Sequence, residues 1–261
     1  MTTQEMLNKT KTERTGEIRL NRYGTPMKIV EYINNRDVVV EFQDEHRYKK
    51  HTDYAGFNAG KTENPYDKTM FGVGYLGVGR FGANKNNKRM YSVWQDMLAR
   101  CYSTKKKYQT KTCYKGCIVC DEWHNFQNFA KWYEDNYYEI DGQRMHIDKD
   151  ILFKNNKIYS PETCIIVPNE INALMVRRNA QRGDTPIGVY YNKNMHSYVA
   201  FCWAGGKQKD YLGKYDTPQE AFLVYKRKKE QYIKEIADKY KEQISQKLYD
   251  ALYKYEVEIT D

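Results

Sequence analysis

The sequence predicts an α+β chain assembled from small pieces, and three observations carry that reading. Short β-branched runs separated by turn residues occupy the N-terminal part. Aromatic and apolar residues at helical spacing follow between Met90 and Tyr133. A strand, polar loop, strand and helix start succeed one another from Met145 to Asn172, and a second sheet-and-helix pattern runs on to Leu252.

The 261 residues suffice for two domains or three small ones. Hydrophobic residues make up 40% of the chain, but 25 residues are tyrosine and mean hydropathy is −0.91, so the expected cores are small and aromatic-rich. No apolar run approaches the ~18 residues of a membrane span. Met1 to Thr15 is polar and lacks the apolar centre of a signal peptide. The expectation is a soluble cytoplasmic protein with no membrane partner, whose six cysteines are thiols or metal ligands rather than disulfides.

Residues 16–65 read as a β domain. Met27–Tyr32 and Asp37–Phe42 are strand-like, Asn34-Asn35-Arg36 is a turn between them, and Val38, Val40 and Phe42 share a face. The segment looks like a small barrel of the SH3 type. Lys61 to Pro65 reads as a boundary, and the glycines at 72, 74, 77 and 79 as an irregular linker; no Lys-Ser/Thr pair supports a phosphate loop there.

Residues 66–182 are expected to form the central domain, with a basic helical insert. Met90, Val93, Trp94, Met97, Leu98 and Cys101 recur at helical spacing, as do Trp123, Phe126, Phe129, Ala130 and Tyr133, with Asp121 as the expected N-cap. Net charge is +9, and its distribution says more than its size. Ten Lys or Arg lie between Arg80 and Lys115, among them Arg80, Lys88, Arg89, Lys105, Lys106 and Lys107, against the single acid Asp96. A basic block interleaved with Tyr and Phe is the electrostatic footprint of phosphate-backbone binding, the plainer alternative being a solvated face. Cys113, Cys117 and Cys120, with Cys101 before and His124 after, supply enough donors for a structural zinc site, but the irregular spacing and the lack of a second Cys-x2-Cys pair favour small buried thiols.

The run Met145-His146-Ile147-Asp148-Lys149-Asp150-Ile151 is the most informative in the chain. His146, Asp148 and Asp150 alternate, so period-two geometry places all three on one strand face. Two carboxylates and an imidazole on a buried face are costly unless paired or bound to a metal. Lys154–Pro168, with its Tyr-Ser-Pro-Glu-Thr-Cys loop, and Asn169-Glu170-Ile171-Asn172 follow. This segment resembles the ββα-metal, or HNH, nuclease fold of phage-encoded proteins, and Arg100-Cys101-Tyr102 and Cys120-Asp121-Glu122-Trp123 are further features of that group. The resemblance implies a divalent metal, Mg²⁺ or Mn²⁺, held mainly by Asp148 with Asp150 and Asn172, His146 as the base and Asn156 orienting the loop. It departs from the family at Asp148-Lys149, where the usual pair is Asp-His. A protonated lysine is a poor base at neutral pH, and the other reading of these residues is a fold without catalysis in which Asp148 and Asp150 pair with nearby Lys or Arg. Arg177 and Arg178, beyond this motif, join the candidate DNA contacts.

Residues 185–256 open a third unit. Strand signals lie in Ser197–Trp203 and around Tyr211–Tyr215, and Thr217, Pro218 and Glu220 form a capping box at a helix start. Gly188, Val189, Tyr198, Ala200, Lys207, Leu212, Gly213, Tyr215, Thr217, Glu220, Ala221 and Tyr225 together resemble the ethylene-response-factor (Apetala-type) DNA-binding domain, which also occurs in phage HNH proteins. That resemblance implies three antiparallel strands on one helix, the other sheet face lying in the DNA major groove. Alternation puts Tyr198, Ala200 and Cys202 inward and Val199, Phe201 and Trp203 outward, with Lys209 and Tyr211 on the next strand. Tyr190 and Asn192 stand where the family usually has arginines, which favours contacts to methyls, sugars or unpaired bases over guanine readout, or else a protein interface. Ile233, Ile236, Tyr240, Ile244, Leu248 and Leu252 continue as one long amphipathic helix that packs along the body or forms a coiled coil.

Two functions follow. One is a phage-type, metal-dependent homing-endonuclease relative acting on duplex DNA. The other is a catalytically inactive DNA- or protein-binding regulator or inhibitor acting on a host nuclease or defence complex.

Overall fold

A computed structural model describes residues 3–110, 112–175, 185–203, 209–259 and 261. The protein is α+β and divides into two compact units, residues 1–115 with 119–131 and residues 116–118 with 132–261.

The first unit begins with helix α1 (Thr3–Arg14) and strands β1 (Ile18–Leu20), β2 (Pro26–Asn34), β3 (Asp37–Phe42) and β4 (Lys49–Thr52), paired antiparallel in that order. The β2–β3 turn is the expected one, and Asn34 Oδ1 accepts the Arg36 N–H at 2.8 Å. Val38, Val40 and Phe42 face inward with Met27, Ile29, Tyr32 and, from α2 (Tyr54–Asn58), Phe57. The sheet does not close into the expected barrel. β1 has three residues, all exposed, and β1 and β4 each pair on one side only, so the meander stays open.

The glycine-rich stretch is a packed segment rather than a linker. A Cβ on Gly74 would lie 2.5 Å from Leu98 Cδ1 and 2.9 Å from the Trp94 ring, and one on Gly77 would lie 2.3 Å from Asn125 Oδ1. Glycine is what lets this backbone run against α3 (Lys88–Tyr102), whose Trp94, Met97, Leu98 and Ala99 are buried. After α4 (Lys106–Gln109), a 3₁₀ turn at Asp121–His124 precedes α5 (Phe126–Asn136). Asp121 therefore opens that turn instead of capping the helix. Trp123 is fully buried, and its carbonyl accepts the Trp94 indole N–H at 2.7 Å.

In the second unit Ile118, the first residue of β5 (Ile118–Val119), leads in, and its N–H donates to the Lys157 carbonyl at 2.8 Å. The predicted strand–loop–strand–helix is present as β6 (Met145–Asp148), β7 (Ile158–Tyr159), β8 (Ile165–Pro168) and α6 (Asn169–Met175). β6 and β8 are antiparallel, with Asp148 opposite Ile165. The Ser-Pro-Glu-Thr loop bonds to itself: Thr163 Oγ1 donates to the Ile158 carbonyl at 2.7 Å and accepts the Ser160 N–H at 3.2 Å.

Strands β9 (Val189–Asn192), β10 (Ser197–Trp203) and β11 (Lys209–Tyr215) form an antiparallel sheet with β10 central, covered by α7 (Pro218–Lys239). The capping box forms as predicted: Thr217 Oγ1 accepts the Glu220 N–H at 3.2 Å, and Glu220 Oε2 accepts the Thr217 N–H at 3.3 Å. Ala200 is fully buried with Cys202, Ala221 and Tyr225, as the alternation required. The long helix is broken, however. The chain turns at Tyr240–Ser245 and continues as α8 (Gln246–Tyr253), whose N-cap Ser245 accepts the Leu248 N–H. Tyr249 and Tyr253 both donate to Asp238 Oδ1 across the turn, and the whole stripe from Ile233 to Leu252 joins one core. That core also takes Ile151, Val167, Ile171 and Leu174 from the central motif.

Candidate nucleic-acid interface

The polar loop of the central motif is organised by a lysine. Strand β6 ends at Asp148, because Asp148 Oδ1 accepts the N–H groups of Asp150 at 2.7 Å and Ile151 at 2.8 Å and turns the chain. His146 and Asp148 share the β6 face opposite buried Met145 and Ile147, but Asp150 has left the strand and does not extend that face. Lys149 is 4% exposed, and its ammonium donates to both Asp150 carboxylate oxygens and to the Asn156 carbonyl, each at 2.7 Å. It also lies 5.8 Å from the Tyr159 ring centroid. Asn156 laces the loop, its side-chain amide donating to the carbonyls of Lys149 at 2.9 Å and Ile158 at 2.6 Å.

This donor set does not fit the divalent cation that the nuclease resemblance implies. Asp148 Oδ1 is engaged by two backbone donors, both Asp150 oxygens face a buried ammonium, and a second cation there would be repelled. Desolvation pushes the Asp148 carboxyl above its usual 3.8, and the two N–H bonds offset only part of that. Asn172 is half-buried on α6. Among the described residues no three His, Cys, Asp or Glu side chains are placed to share a metal ion. Of the cysteines proposed for zinc, Cys117 is buried, Cys101 and Cys120 are partly buried and Cys113 is exposed. His124, grouped with them in the sequence, lies with Nε2 3.4 Å from the Tyr102 hydroxyl, and burial lowers its pKa.

The basic block lies in the first unit. Arg80, Lys88, Lys105, Lys106 and Lys107 are exposed, with Arg89 half-buried. Arg177 and Arg178 fall outside the described residues.

The outer face of the C-terminal sheet brings the predicted residues together. The Phe201 ring stacks on Tyr190 with centroids 5.5 Å apart and planes 10° from parallel, and meets Tyr211 edge-on at 5.4 Å. The Lys209 ammonium stands 3.7 Å over Phe201 and 5.6 Å from the Tyr190 centroid. Trp203 pairs with Lys209 at the strand end and is 46% exposed, with Tyr211 at 58% and Tyr190 at 41%. Val199, expected to be open, is 1% exposed although its cross-strand partners Tyr190 and Lys214 are both exposed, and Ser197 further along the strand is also buried. Asn192 is turned to a local task, its Oδ1 accepting the N–H groups of Asn194 and Met195 at 3.0 and 3.2 Å.

One residue of this face escaped the sequence pattern. Lys214 is exposed opposite Val199, whereas strict alternation from Lys209 and Tyr211 puts it inside. A bulge at Leu212–Gly213, with Gly213 at φ +123°, inverts the parity of β11, and a glycine inside a strand pattern is the sequence mark of such a bulge. No family model matches the chain, and comparisons with curated proteins and with solved structures return no match.

Proposed function

We propose that this chain is a nucleic-acid-binding protein whose C-terminal sheet makes the base contacts and whose basic block contributes sequence-independent attraction to phosphates. The single observation that carries the reading is the open half of the sheet. There Tyr190, Phe201, Trp203 and Tyr211 stand together with Lys209, on the face opposite the one that packs Ala200 and Cys202 against α7. Large exposed aromatic groups on a solvent face are otherwise costly, and with cations beside them they suit bases and phosphates. On this reading the central motif is architectural, its loop closed by Lys149.

The test is binding of labelled DNA and RNA to the whole chain. Replacing Tyr190 and Tyr211 together by Ala should weaken binding about tenfold or more, since base–aromatic stacking contributes roughly 1–3 kcal/mol per base. Unchanged affinity would shift this face to a protein partner, such as a nuclease or defence complex. A hydrolytic reading is favoured by one observation, that His146 and Asp148 share a face of β6. Incubation of plasmid with the protein in Mg²⁺ or Mn²⁺, beside His146→Ala, decides it: cleavage lost in that variant would restore the endonuclease.

A further inference from the structure

We infer that the open half of the C-terminal sheet takes unpaired bases, so that its preferred ligand is a single-stranded nucleic acid rather than a duplex. The inference rests on the nucleic-acid reading above and narrows it. In a duplex the base faces are hidden in the stack, and a protein reaches only groove edges, where guanine is read by paired donors, most often from arginine. No arginine occurs between Arg182 and Arg227, a stretch that contains the whole sheet. Among the described residues the strand cations on the outer face are Lys209 and Lys214, and Lys209 lies over the Phe201 ring.

What the face offers instead is ring surface. Trp203 and Tyr211 are about half exposed, and Tyr190 nearly so. Phe201 sits between Tyr190 and Tyr211 and fixes both, parallel to the first and edge-on to the second. The platform is therefore pre-organised and loses little side-chain freedom when a base stacks on it. A flat ring gains most from a base whose own face is free, which only an unpaired nucleotide supplies. Lys209 and Lys214 flank the rings on β11, where they meet the phosphates of a strand crossing the sheet.

The experiment measures anisotropy of labelled oligo(dT), oligo(rU) and the matching dT·dA duplex with the full chain at one ionic strength. Both single strands, or one of them, should bind about tenfold tighter than the duplex, and the two arms separate DNA from RNA. Trp203→Ala should lose about tenfold on the single strand and less than twofold on the duplex, while Trp203→Phe keeps most of the affinity because a ring remains. Thermal melting of both variants checks that the exposed position leaves the fold intact. Duplex binding tighter than both single strands, or Trp203→Ala weakening all three ligands equally, overturns the inference and leaves the nucleic-acid reading standing. Binding of none of the three overturns both.

Discussion

Lys149, buried in the central loop, holds both carboxylate oxygens of its own neighbour Asp150 at 2.7 Å. Side chains adjacent in a strand point to opposite faces, so the pair forms only because the strand stops at Asp148. Lys149→Met keeps the length of the side chain but removes the ammonium from Asp150 and from the Asn156 carbonyl. The Asp150 side chain is 48% exposed and regains water, so the loss should be on the order of 2 kcal/mol rather than the larger cost of a fully buried pair. Urea unfolding measures it, and a wild-type midpoint would show that the loop closes without this ammonium.

Asp148 gives a pH prediction of unusual sign. Desolvation raises its carboxyl pKa above 3.8. The folded state then binds the proton more tightly than the unfolded state, so this group lowers stability as pH rises above the unfolded pKa. Asp148→Asn retains an oxygen to accept the Asp150 and Ile151 N–H groups and removes the desolvated charge. Stability at neutral pH should be equal or higher, and the fall of stability with pH above about 4 should flatten. A large loss of stability at pH 7 would mean that the charge itself holds the turn.

Replacing Lys105, Lys106 and Lys107 by Ala should weaken binding to all duplexes alike. The slope of log affinity against log salt should shrink by about 0.9 for each phosphate that the variant no longer neutralises. An unaltered slope would assign these lysines to solvation alone.

Ala200→Leu should destabilise the C-terminal sheet by about 1–3 kcal/mol through overpacking, because Ala200 is fully enclosed with Ala221 and Tyr225. Gly188→Ala should be at least as damaging. Its φ is +75°, and a Cβ there would fall 2.1 Å from the Tyr225 ring. Both are read by thermal melting, and a near-neutral result for either would place α7 elsewhere.

What could be read in the sequence was local or periodic. The capping box at Thr217, the Asn34–Arg36 turn and the inward Ala200 each follow from a few adjacent residues. The misreadings share a cause, in that distant or irregular partners overrode the pattern. The stripe from Ile233 to Leu252 keeps helical spacing across the Tyr240–Ser245 turn, where neither Gly nor Pro marks the break. The bulge at Gly213 reverses the faces of β11, and the burial of Val199 on the outer face carries no mark in the alternation. At the central motif alternation groups His146, Asp148 and Asp150, while the fold couples Lys149, Asp150 and Asn156.

The common core of the second unit bears on modularity. Ile151, Val167, Ile171 and Leu174 share one apolar cluster with Ala200, Tyr225 and Leu248. A fragment beginning at Thr185 would leave that side of the cluster open to water, so the sheet and its helix are not a transplantable cassette. The two motifs should melt in a single cooperative transition, and grafting the sheet onto another protein would require carrying the β6–α6 segment with it.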